Sequence, residues 1–204
     1  MPFTTALRLR PHARDEDRAR IIHVGDTIVV VVVDGAGGMP GGAEAADLAV
    51  AGVEHRAGEI VDPEHAVALL LDLDTQCEHD PRAGEAACVI VTVTAEGRTF
   101  GASVGDCEAW VVSGDQVTRL TDQQHKKKRL GSGRAEPVAF EAVLQRDAAI
   151  VVGSEGLFGY VSQDKVVVVS QQETAAEVAD ALVAAALAPP VVLADDLAVV
   201  VLRL

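Results

Sequence analysis

An α+β fold is predicted: two antiparallel sheets stacked face to face and flanked by helices, a four-layer α-β-β-α sandwich. Three observations point there. The stretch from Cys88 to Leu120 breaks into four short β-rich runs with turn signals close between them, which reads as an antiparallel meander. Three helical stretches at 43–56, 63–79 and 174–187 carry apolar faces that need a sheet to cover. The run from Ile28 to Val33 is β-branched throughout, the mark of a strand buried on both faces. At 204 residues, 49% of them apolar, the chain fits one domain spanning 1–204.

Taken in order, Thr4 to Leu9 alternates as a strand should, and His12 to Arg20 is charged enough to read as a connection. The Ile28–Val33 strand ends at Asp34. A carboxylate at the mouth of a core strand is costly unless it caps a turn, is paired or holds a metal. Gly35, Gly37 and Gly38 after it permit close backbone approach or positive φ. Ala43–Arg56 is helical by propensity. In the second helix Pro63 stands in the first turn, and Ala66, Leu69, Leu70 and Leu73 share one face. Asp72, Asp74, Glu78 and Asp80 are expected on its solvated outer face.

Strands follow at Cys88–Thr94, Thr99–Val104, Glu108–Val112 and Gln116–Leu120, with hairpin turns at 95–97 and 113–115. Residues 121–133 form a loop carrying the one dense basic run, Lys126, Lys127, Lys128 and Arg129. That run is either a solvated face or a docking site for an acidic or phosphorylated partner. Phe140–Leu144 and Ala148–Val152 read as strands. The helix at 174–187 opens on Thr174 and closes before Pro189 and Pro190.

The composition excludes several classes. A formal net charge of −14 argues against nucleic acid as a partner. Apolar runs fall far short of the roughly 20 residues that a membrane helix needs. The polar N-terminus has no secretory h-region, so a cytoplasmic protein is expected. Cys77, Cys88 and Cys107 lack metal or disulfide spacing and read as buried small residues.

Segments along the whole chain carry a resemblance. ArgAspGluAsp at 14–17 precedes a hydrophobic run. DGAGG at 34–38 leads through Gly41 and Gly42 into an alanine-rich helix. SVGDCEAW stands at 103–110, GSGRAEPVAF at 131–140, GSEGLFGYVS at 153–162 and DDLAVVVLR at 195–203. In this order they resemble the metal-dependent serine/threonine protein phosphatases, the PPM or type 2C family, in its compact bacterial branch.

The resemblance implies a metal-ligand set of Asp17, Asp34, the Gly35 carbonyl, Glu155 and Asp195, with Asp34 bridging two ions and Asp106 left for a third. Such a set is all hard oxygen and suits Mn²⁺ or Mg²⁺ rather than zinc. It places catalysis on Asp34 and Asp17, with His12 or Arg14 meeting the phosphate. Departures are also plain. Glu155 stands where the family has Asp, Gly159 where a second Asp is frequent, and Ala36 where some relatives carry His. Cys107 and Glu108 replace Ser and Arg. The general acid is therefore His12 or a water. The implied activity is hydrolysis of phosphorylated Ser/Thr proteins by a monomer, with a cognate kinase system as partner. The alternative is a degenerate module that binds a phosphoprotein or regulatory partner with little or no turnover.

Overall fold

The computed structural model describes residues 3–203 apart from 13, 37, 39, 146 and 190–193. Strands β1 (Thr4–Arg10), β2 (Asp17–Val24) and β3 (Thr27–Gly35) open the chain, followed by helices α1 (Gly42–Arg56) and α2 (Pro63–His79). Then come β4 (Ala86–Val93), β5 (Arg98–Val104), β6 (Glu108–Ser113), β7 (Gln116–Arg119), β8 (Val138–Val143) and β9 (Ala149–Gly153). Helices α3 (Glu155–Phe158), α4 (Gln163–Val169) and α5 (Ala175–Ala186) precede the closing strand β10 (Leu197–Arg203).

The strands form two five-stranded sheets, ordered β1-β10-β9-β6-β7 and β2-β3-β4-β5-β8. Every pairing is antiparallel. Alternation in β3 decides the layering. Val30 and Val32 point into the core between the sheets with Val89, Val91, Ile150, Val152 and Val200. Val29, Val31 and Val33 point the other way, into a second core under α1 and α2. A third core lies between the outer face of the other sheet and α3, α4 and α5. This is the expected α-β-β-α sandwich.

The starts of α2 and α5 are closed by side chains. Thr174 and Glu177 make a reciprocal capping box on α5, and Asp62 accepts from the His65 amide ahead of Pro63 on α2. Such caps contribute about 1 kcal/mol each.

The structure corrects several expectations. The supposed connection at 12–20 is half strand, since β2 starts at Asp17 and pairs along the whole of β3. It is an edge strand, so Arg18 and Arg20 lie at the sheet rim and their charges disguise it. The meander is two hairpins in different sheets. β4 and β5 pair in one, β6 and β7 in the other, and the chain crosses between sheets at Gly105, whose φ is 86°. Asp74 is not solvated: it is buried and accepts from the Gly133 and Ala135 amides at 3.2 and 3.1 Å. Helices α3 and α4 fill a stretch, 155–169, to which the sequence reading assigns no regular element.

Candidate active site

Strand register gathers the chemistry at one end of the sandwich. Asp17, the first residue of β2, lies opposite Asp34 near the end of β3, and Asp34 in turn lies opposite Ala87 at the start of β4. On the facing sheet Gly153 ends β9 beside Val199 of β10 and Glu108 of β6. The loops holding Asp106, Ser154, Glu155, Asp195 and Asp196 therefore all open at this end.

Two glycines make the local geometry possible. A Cβ on Gly35 would lie 2.5 Å from the Gly42 carbonyl, so the end of β3 can abut the start of α1 only without a side chain. A Cβ on Gly156 would lie 1.8 Å from the Asp196 carbonyl oxygen, so α3 can rest on the entry to β10. By contrast Gly38 has open space around it and needs no special conformation, and Gly37 lies outside the described residues. Stacking of Phe158 on Trp110, with ring centroids 4.5 Å apart, ties α3 to its sheet.

Asp17 is 5% exposed, and Ser154, fully buried, donates its hydroxyl to Asp17 Oδ2 at 2.7 Å. The same hydroxyl accepts from the Ala198 amide at 3.0 Å, so β10 sets the orientation of Ser154 and, through it, of Asp17. Asp34 accepts from the Glu155 amide at 3.3 Å. Asp196 is buried and accepts from the His12 amide and, at 2.6 Å, from the Glu16 amide, which pins the loop between β1 and β2. His12, Arg14, Gly38, Arg129, Ala194, Asp195 and Asp196 line a cleft of about 470 Å³.

The carboxylates strain against one another. Burial pushes the Asp17 carboxyl up to about 8, with the Asp34 charge adding to the rise and the Ser154 bond opposing it. Burial also pushes Asp34 up to about 7, reinforced by Asp195 and Asp106 and opposed by the Glu155 amide and Arg129. Neither has an ion-pair partner among the described residues. Two partly desolvated carboxylates side by side with no basic side chain paired to them fit a divalent cation. Among the described residues no three or more Asp, Glu, His or Cys side chains form a closed cage. Mg²⁺ commonly binds through one or two carboxylates and keeps several waters, so an open carboxylate pair still suits it.

The sequence-predicted residues divide into three sets. Asp17 and Asp34 are adjacent, Asp195 is exposed at the cleft beside them, and His12 and Arg14 share that cleft. Glu155 is exposed at the start of α3, with its amide and not its carboxylate on Asp34. The basic run is split: Lys126 and Lys127 are exposed, Lys128 pairs with Glu136, and Arg129 turns into the cleft to pair with Asp106 at 2.6 Å. Sequence reasoning missed the Ser154 bond and the anchoring role of Asp196. A small hydroxyl beside a strand-end acid and a doubled Asp before a strand were the available signals.

No protein-family model matches the chain, and no curated protein matches it in sequence. Solved structures do. A serine/threonine phosphatase from S. agalactiae is 15% identical, with all of both chains covered and a TM-score of 0.82. The photosystem II phosphatase PBCP is 22% identical over 100% of this chain and 99% of its own, with a TM-score of 0.84. The phosphatase Stp1 from Staphylococcus aureus is 17% identical over 100% and 96%, with a TM-score of 0.82. At these identities the likeness is one of fold, and the chain has the four-layer fold of type 2C serine/threonine phosphatases.

Proposed function

We propose that the chain is a metal-dependent phosphatase hydrolysing phosphomonoesters on the serine and threonine residues of phosphoproteins. The observation that carries this is the Asp17–Asp34 pair, buried together at the strand ends of a phosphatase fold with no basic side chain paired to either among the described residues. Asp34, the Gly35 carbonyl and Asp195, with Asp17 and Glu155, would hold two Mn²⁺ or Mg²⁺ ions. Bound there, such ions supply a water made acidic at neutral pH and positive charge for the phosphoryl oxygens.

The chain's own groups do the rest. Ser154 fixes the rotamer of Asp17, so that its free oxygen faces one direction. Asp196 holds the 12–16 loop and so sets His12 and Arg14 at the cleft, where Arg14 offers a planar donor pair to phosphoryl oxygens. His12, which lines the same cleft, would pass a proton to the departing seryl or threonyl oxygen. A monomer working in the cytoplasm opposite a protein kinase completes the proposal.

One observation favours the second reading, a phosphoprotein-binding module without turnover: Glu155 stands exposed, with its amide and not its carboxylate on Asp34. Turnover of a chromogenic aryl phosphate with and without Mn²⁺ decides between them. Metal-dependent release of phosphate supports hydrolysis, whereas phosphopeptide binding without release supports the module.

A further inference from the structure

Arg129 belongs to the cleft and not to the surface run beside it. Leu130 exchanges both backbone hydrogen bonds with Ala86, at 2.9 and 3.1 Å, so the chain at Arg129 is stitched to the start of β4. Of the three preceding lysines, Lys126 and Lys127 are exposed and Lys128 pairs with Glu136. The guanidinium donates through one Nη2 to Asp106, itself 8% exposed, and makes no other hydrogen bond among the described residues. Its Nε is buried and has no partner among them. A guanidinium has five N–H donors, and leaving a buried one unmet costs on the order of 1–3 kcal/mol. An ion pair that served only to anchor the loop would carry that cost for nothing.

The surroundings say what the unused donors fit. Arg129 lines the cleft with His12, Arg14 and Asp195, and lies within the field of Asp34 and Glu155. In a strongly acidic chain a dianionic phosphate monoester approaching this cleft needs fixed positive charge. A planar guanidinium held rigidly by a carboxylate is the side chain best shaped to present two parallel donors to phosphate oxygens. Asp106, already neutralised by that guanidinium, is a poor further ligand for a cation.

We propose that Arg129 is an anion-binding residue of the cleft, oriented by Asp106 toward the substrate phosphoryl group, and that this ion pair occupies the ground where Asp106 would otherwise hold an additional divalent cation. The identity of the anion rests on the phosphatase reading; the binding does not require turnover.

Two measurements on the full chain test it, with inorganic phosphate and Mn²⁺ as probes. In the parent, modification of arginines by phenylglyoxal is mapped by mass spectrometry with and without phosphate, in chelator and in Mn²⁺. Phosphate is expected to slow adduct formation at Arg129 at least fivefold, and equal rates would overturn the anion role. Calorimetry then compares Arg129→Met with Arg129→Met/Asp106→Asn. The single variant is expected to bind phosphate about tenfold more weakly and to gain a Mn²⁺ binding event that the double variant loses. Unchanged Mn²⁺ stoichiometry in Arg129→Met would overturn the claim on Asp106. A parent that binds no Mn²⁺ while phosphate still protects Arg129 would uphold this site and count instead against metal-dependent hydrolysis.

Discussion

Asp34→Asn should have opposite effects with and without metal. In metal-free protein the Asp34 carboxyl, raised from 3.8 to about 7 by burial and by its acidic neighbours, destabilises the folded state once it ionises. The sign follows from linkage: the folded state binds this proton more tightly than the unfolded chain, so stability falls as pH rises from about 4 to about 7. Asp17, raised to about 8, extends that fall by a further step. At about 1.4 kcal/mol for each tenfold change in proton affinity, ionised Asp34 costs at most about 4 kcal/mol at pH 8. Asparagine removes the charge but brings an amide with no assured acceptor, which returns about 1–3 kcal/mol. A net gain of about 2 kcal/mol remains, a rise in melting temperature of about 4–8 °C for a chain of this size. Calorimetric melts at pH 5 and pH 8, in chelator and in millimolar Mn²⁺, measure it. Metal-free Asp34→Asn should melt above the parent at pH 8 and near it at pH 5. In Mn²⁺ the order should reverse, because ligand binding stabilises only the parent. A variant that melts lower than the parent in chelator at pH 8, or that keeps the parent's Mn²⁺ shift, would refute the account of Asp34 as an unmatched charge awaiting a cation.

How much of this was legible depends on whether the signal was local. β3 was, because six β-branched residues between Thr27 and Asp34 have only one comfortable environment, a strand covered on both faces. α2 was legible to the residue, since Pro63 and the 66–69–70–73 spacing mark both its start and its face. β2 was not, because an edge strand needs only one apolar face and can carry Arg18 and Arg20 at its rim. Asp74 was lost for a related reason. Helical spacing placed it outward, but the 131–135 loop folds over that face to be capped by its carboxylate. The site shows the same division. Strand-end acids could be read from their short motifs, while the Arg129–Asp106 pair joins positions 23 apart across a crossing between sheets. Composition placed Arg129 with its three lysine neighbours, and only the Leu130–Ala86 bridge separates it from them.

The other expected outcomes concern the loop, the surface and the arm length of one acid. Asp74→Ala leaves the Gly133 and Ala135 amides without an acceptor and should lower stability in urea by about 2–4 kcal/mol. An unchanged midpoint would mean that the loop is held elsewhere. Replacing Lys126, Lys127 and Lys128 by Gln should weaken phosphopeptide binding and flatten its salt dependence while sparing aryl phosphate turnover. Identical salt slopes would return the lysines to a solvated face. Glu155 poses the sharpest question, because the context around it is intact: the Ser154 carbonyl accepts from the Leu157 amide, Gly156 lies against Asp196, and the Glu155 amide already meets Asp34. The backbone is thus fixed where a shorter acid would be useful, and the extra methylene moves the carboxylate by about 1.5 Å, more than a preorganised site tolerates well. Glu155→Asp should therefore raise Mn²⁺ affinity and hydrolysis by roughly tenfold, or about 1.4 kcal/mol on the barrier. Calorimetry and turnover at saturating Mn²⁺ separate the two effects. If Glu155→Asp is slower than the parent even when saturated, the cleft is built around the longer acid, and the exposed side chain at the start of α3 reaches its cation by a path that a shorter one cannot follow.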